Sequence, residues 1–136
     1  MPFYEFDVTS PANTPQTAPT EVKAPLIKGV ITHVHVQIPA GVQGLTGAQI
    51  WRANSQLWPT NPPGYIKGDN AIIIWEEDYE LEDEPLTLRL LVWNRDDFFP
   101  HTITFRFALT PLARAQEIRA GPGLLKRMGK SLGIGA

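Results

Sequence analysis

Three stretches of the chain alternate between apolar and polar residues with a period of two. In residues 30–38, VITHVHVQI, the positions Val30, Thr32, Val34, Val36 and Ile38 fall on one side, and His33, His35 and Gln37 on the other. In LTLRLLVWN, Leu86, Leu88, Leu90 and Val92 oppose Thr87, Arg89, Leu91 and Trp93. In HTITFRFAL, His101, Ile103, Phe105, Phe107 and Leu109 oppose Thr102, Thr104, Arg106 and Ala108. Successive side chains of a strand point to opposite faces, so each stretch is predicted to be a half-buried β-strand. LTGAQIWRA, SQLWP, YIKGD and AIIIWE read as further strands, and FYEFDV at the start is strand-like. The turn signals between them are PAGVQG, TNPPG, Asp69-Asn70 and RDDFFP.

About seven or eight short strands, with turn signals roughly every 8–12 residues, predict an all-β fold of the sandwich or barrel kind. We expect a two-sheet β-sandwich of jelly-roll type over residues 26–111, with an immunoglobulin-like Greek key as the competing topology. No Gly-rich βαβ pattern and no helical periodicity interrupts this region.

The two ends read differently. Residues 1–25 contain TSPANTPQTAPTEVKAP, with prolines 11, 15, 19 and 25. Proline excludes a helix and favours extended chain, so this segment is expected to be an arm lying along another surface. Its aromatic residues Phe3, Tyr4 and Phe6 are the candidate contacts. Residues 112–136 begin with the helix-favouring LARAQEIRA, broken by GPG, and continue as LLKRMGKSLGIGA. Leu125, Met128 and Leu132 give that last part a weak apolar stripe.

Composition refines this plan. The chain has 136 residues, 43% of them hydrophobic, which suffices for one domain with a real core. It has no cysteine, which removes disulfides, thiolate-held metals and Cys nucleophiles. No apolar run is long enough to span a bilayer, and the acidic N-terminus lacks the basic region of a signal peptide. The net charge of −2 conceals an asymmetry. Arg114, Arg119, Lys126, Arg127 and Lys130 face only Glu117 in the tail, a net +4, so the remainder carries −6. An acidic body with a basic tail suggests contacts between neighbouring molecules.

Candidate chemistry is sparse. His33 and His35 project from one strand face and could share an ion, with His101 as a third ligand. That loosely resembles the His-x-His of cupins, but the Glu that follows the second His in that motif is absent, and Gln37, Ile38, Pro39 and Ala40 stand there instead. Strand alternation explains the spacing without metal. At an interface, the pair would let protonation tune assembly. The acidic run EEDYELEDE, Glu76–Glu84, reads as a solvated loop or strand edge, or as a docking face for a neighbour's basic tail. Asp96 and Asp97 are read as turn formers. Trp58 and Tyr65 flank the PTNPPG turn and are the candidates for stacking a sugar ring. No GxSxG, P-loop or GxGxxG is present, and we expect no enzymatic activity, cofactor or metal. The tail is too sparse in charge for nucleic acid and too weakly apolar for a membrane.

An N-terminal arm, a strand series from VITHVHVQI to HTITFRFAL, and the tail GPGLLKRMGKSLGIGA resemble the plan of small jelly-roll proteins of virions, such as capsid decoration, vertex, tail or neck components. The resemblance implies a structural protein of a virus particle, assembled in the host cytoplasm as a symmetric homo-oligomer and touching other virion proteins through its ends. The tail residues Arg114, Arg119, Leu125, Lys126, Arg127, Met128, Lys130 and Leu132 would then be interface residues. A carbohydrate- or receptor-binding sandwich is the alternative, and a cupin-like metal protein a further one.

Overall fold

A computed structural model describes residues 2–112, and the tail lies outside the described residues. Eight strands follow one another: β1 Phe3–Ser10, β2 Thr20–Pro25, β3 Gly29–Ile38, β4 Thr46–Arg52, β5 Ser55–Trp58, β6 Ala71–Leu81, β7 Thr87–Asn94 and β8 His101–Pro111. They form two four-stranded antiparallel sheets, ordered β1-β8-β3-β6 and β2-β7-β4-β5. The all-β sandwich expected from the alternation is what these residues build.

The core lies between the sheets. Val34, Val36 and Ile38 of β3 and Ile103, Phe105, Phe107 and Leu109 of β8 face Leu88, Leu90 and Val92 of β7 and Ala48 and Ile50 of β4. Each of these side chains is buried. At about 25 cal/mol per Å² of apolar surface removed from water, this interlayer is the dominant stabilising term.

Three expectations are corrected. The segment 1–25 is not an arm. Its two ends are strands, one in each sheet: β1 pairs with β8, from Phe3↔Ala108 to Ser10↔His101, and β2 pairs with β7. Both are edge strands, where Pro25 at the end of β2 is tolerated because an edge leaves one row of backbone groups unpaired. Tyr4 and Phe6 consequently pack inward against the core, with the Phe6 ring 6.2 Å from that of Phe107. The YIKGD segment is not a strand; among these residues only Ile66 forms a bridge, to Ala48. In β3 the alternation slips at a bulge between Ile31 and His33, which turns Ile31 into the core in place of Thr32. The Thr32 hydroxyl donates to the Ala108 carbonyl at 3.2 Å.

The flank where β5 and β6 meet is closed by aromatic rings and one arginine. Trp58 meets Trp75 and Tyr79 edge-on, at 6.0 and 5.6 Å. Arg52 at the end of β4 donates to the Tyr79 hydroxyl at 3.0 Å, to the Pro85 carbonyl at 3.0 Å, and to the Asp83 carbonyl.

Candidate functional site

Three surfaces bring together side chains that could act on a partner. The first is the outer face of the first sheet. Strand pairing sets its outward residues in rows: Phe3, Ala108, His33 and Glu76; then Glu5, Arg106, His35 and Ile74; then Asp7, Thr104, Gln37 and Ile72. The middle of the face is tied by charge. Arg106 donates to Glu5 Oε1 at 2.8 Å and to Gln37 Oε1 at 2.7 Å, spanning three strands. Each margin carries exposed apolar side chains: Phe3 on β1 is 54% exposed, and Ile72 and Ile74 on β6 are 55% and 56% exposed. The Phe3 ring meets the His35 imidazole edge-on at 5.7 Å. Towards the end of β6 the outward residues become Glu76, Asp78 and Glu80. The acidic run is thus half edge strand and half loop, the location where charge discourages unwanted strand pairing.

The second is a groove of about 500 Å³ on the outer face of the second sheet. Gln49 and Trp51 of β4 and Arg89, Leu91 and Trp93 of β7 face it, with Gln56 and Glu21 at its sides and Pro19, Pro62 and Pro63 from two loops as walls. The Trp93 indole lies directly over Gly47, where an added Cβ would collide with the ring. Tyr65 meets Trp93 edge-on at 5.0 Å. Arg89 donates to Glu21 Oε1 at 2.8 and 3.0 Å and stacks over Trp51 with its guanidinium carbon 5.6 Å from the ring centre. Gln49 Nε2 donates to the Gly64 carbonyl at 2.9 Å, while its Oε1 accepts from Trp51 Nε1 at 3.0 Å. Gln56 Nε2 donates to the Pro59 and Gly64 carbonyls at 2.7 and 2.9 Å.

The third is the turn between β7 and β8, which raises Phe98 and Phe99 into solvent at 82% and 65% exposure. The turn beneath them is fixed by Asp96. Its Oδ1 accepts the amide hydrogens of Phe98 and Phe99, and its Oδ2 accepts from His101 Nε2 at 2.8 Å. These bonds hold the Asp96 carboxyl below its ordinary value, the Phe98 amide contributing most and His101 next. Asn94, fully buried, accepts the Asp96 amide hydrogen and donates to the Ser10 and Phe99 carbonyls.

The candidate residues sort unevenly onto these surfaces. Phe3 stands on the first face; Tyr4 and Phe6 do not. Trp58 is 5% exposed and wedged between the sheets, so it offers no open ring face to a sugar. Only its rim reaches a smaller depression of about 300 Å³ shared with Trp75 and Glu77. Tyr65 packs instead against Trp93, on the outer side of the second sheet, with the Lys67 ammonium over its ring. The proposed stacking pair therefore shares no surface. His33 and His35 face outward from the first sheet, with His33 Nε2 4.0 Å from Glu76, whereas His101 has the inward parity of Ile103 and binds Asp96. The three histidines do not converge, and among the described residues no three His, Asp or Glu side chains form a metal-holding group. Arg114, Arg119, Leu125, Lys126, Arg127, Met128, Lys130 and Leu132 lie outside the described residues. Among the described residues no helix is long and apolar enough to cross a membrane.

The groove residues Gln49, Trp51 and Gln56 carry no motif or spacing in the sequence that marks them as a site. A comparison with protein-family models finds no match, and a comparison with curated proteins finds none either.

Proposed function

We propose that the protein is a non-enzymatic structural component of a viral particle, built as a jelly roll and assembling as a symmetric homo-oligomer that contacts neighbouring particle proteins. Support for the jelly-roll reading is the nesting of the strands: β1 pairs with β8, β2 with β7, β3 with β6 and β4 with β5. That is the pattern obtained when one long hairpin is wrapped into two sheets. The observation that carries the assembly reading is the outer face of the first sheet. It joins exposed Phe3, Ile72 and Ile74 around a preorganised polar centre, an apolar-and-polar mixture that suits burial against a second copy.

The tail has a natural counterpart. The Leu112 amide donates to the Lys28 carbonyl at 3.2 Å, and the adjacent Gly29 is aligned with Pro111 on one side and Leu81 on the other. Leu112, after which the five cations of the tail follow in sequence, therefore lies two strands from the acidic half of β6. In this reading those cations reach onto the acidic edge of a neighbour, setting orientation more than affinity.

Sedimentation velocity of the chain lacking residues 112–136 tests the tail. A folded but less associated protein is expected, and an unchanged assembly mass removes the tail from the mechanism. Imaging and mass spectrometry of native particles test the setting; absence of the protein from them ends the viral reading.

A further inference from the structure

The groove on the second sheet faces away from the assembly surface and calls for a different partner. We propose that it is a binding site for a neutral mono- or disaccharide, seated on Trp51 beside Leu91 and hydrogen-bonded by Glu21 and Gln56.

Size comes first. About 500 Å³ is within the range of small-molecule sites, roughly 300–1,000 Å³. Such sites pair a mainly apolar lining with a few well-placed polar groups. Here the apolar lining is the half-buried Trp51, Leu91 and three prolines, with Trp93 buried beneath them, and an indole is a fitting neighbour for the C–H face of a sugar ring.

The polar groups are held from behind. Gln56 is anchored through both of its Nε2 bonds to the Pro59 and Gly64 carbonyls, and Gln49 through Gly64 and Trp51. Arg89 is committed to Glu21 and to the Ala53 carbonyl. A ligand then meets side chains already fixed in place, which lowers the ordering cost of binding.

What these bonds leave over identifies the ligand. Both Arg89 bonds use Glu21 Oε1, so Oε2 has no protein partner among the described residues; the same holds for Gln56 Oε1. The remaining capacity is therefore rich in acceptors. Sugar hydroxyls donate as well as accept and can meet it. A proline-rich peptide, the usual occupant of aromatic grooves, offers carbonyls but few N–H donors and would leave these oxygens dry. The Glu21–Arg89 pair cancels its own charge within the groove, which favours a neutral ligand over an anionic one.

The test is titration of the full chain with glucose, galactose, mannose, N-acetylglucosamine, maltose, cellobiose and lactose, read by tryptophan fluorescence and by amide chemical shifts. A saturable response in the millimolar range or tighter is expected with at least one, with shifts concentrated at Gln49, Trp51, Gln56 and Leu91. Gln56→Ala and Glu21→Gln should each weaken it by about tenfold. Trp51→Ala should remove it, and since that ring packs against Arg89, thermal unfolding of the variant is measured beside it. The proposal is overturned if none of the seven sugars saturates. It is also overturned if binding survives both Gln56→Ala and Glu21→Gln, or if a proline-rich peptide saturates the groove where no sugar does.

Discussion

His101 Nε2 stands 2.8 Å from Asp96 Oδ2, while the other oxygen of the same carboxylate accepts the amide hydrogens of Phe98 and Phe99. One ionised side chain thus locks the turn that exposes two phenylalanines. An ionised carboxylate only accepts, so His101 Nε2 carries the proton of their shared bond.

The Asp96 carboxyl is held below its ordinary value, and this fixes the sign of the pH response. A group whose folded-state value is depressed contributes stability above the unfolded carboxylate range, about pH 4, and loses it as pH falls through the folded value. The Phe98 and Phe99 amides should resist hydrogen exchange at neutral pH and lose protection on acidification below that range. Asp96→Asn should flatten the acid limb of a melting-temperature profile. Superimposable profiles for the two proteins would show that the carboxylate does not govern the turn.

Gly47→Ala should disrupt the second sheet out of proportion to one methyl group, because the new Cβ meets the Trp93 indole. The expected loss is about 1–3 kcal/mol, the usual range for overpacking. Gly68→Ala is the control: its Cβ would find Ile38 Cδ1 at 3.4 Å, an ordinary contact. Urea denaturation followed by tryptophan fluorescence distinguishes the two, and equal midpoints would contradict the packing described.

Ile72→Lys and Ile74→Lys alter side chains that are more than half exposed, so stability should stay within about 0.5 kcal/mol of the parent. Self-association should fall, as read by light scattering across a concentration series. An undiminished oligomer would move the interface elsewhere.

Tyr79→Phe removes the hydroxyl that accepts from Arg52 and keeps the ring against Trp58. A loss of about 0.5–1.5 kcal/mol is expected, the net worth of one hydrogen bond. Arg52→Leu should cost more, since it also releases the Asp83 and Pro85 carbonyls. Chemical denaturation of both variants gives the comparison.

Much of the sandwich could be read from alternation because β7, β8 and the Val34–Ile38 half of β3 each keep a clean inner face. The elements that escaped did so for physical reasons. FYEFDV reads as strand-like and forms β1, but its place in the sheet escapes: it is joined to β8 by pairs about a hundred residues apart in sequence, such as Phe3↔Ala108, and no local pattern reports such a partner. β2 carries only Val22 and Ala24 inward, between prolines that read as linker. The bulge at Thr32 shifts parity without altering composition. β4 is covered on both sides, so Gln49 is buried beside Ile50 and the strand shows no alternation. That coverage makes the groove and leaves Trp51 without a sequence signal, whereas Trp58 stands beside a conspicuous turn. Whether a tryptophan faces core or solvent was decided by the β4–β5 pairing, whose register shifts between Ile50 and Trp51.

The pairing of β1 with β8 also gives the molecule a head and a foot. The Pro2 carbonyl accepts from the Leu109 amide at 2.9 Å, so residue 2 and the last described residues emerge side by side at one pole. Ser10 and His101 align at the other pole, next to the raised Phe98 and Phe99. A label or fused domain attached ahead of Phe3 would hang from the foot and leave the phenylalanine head unobstructed.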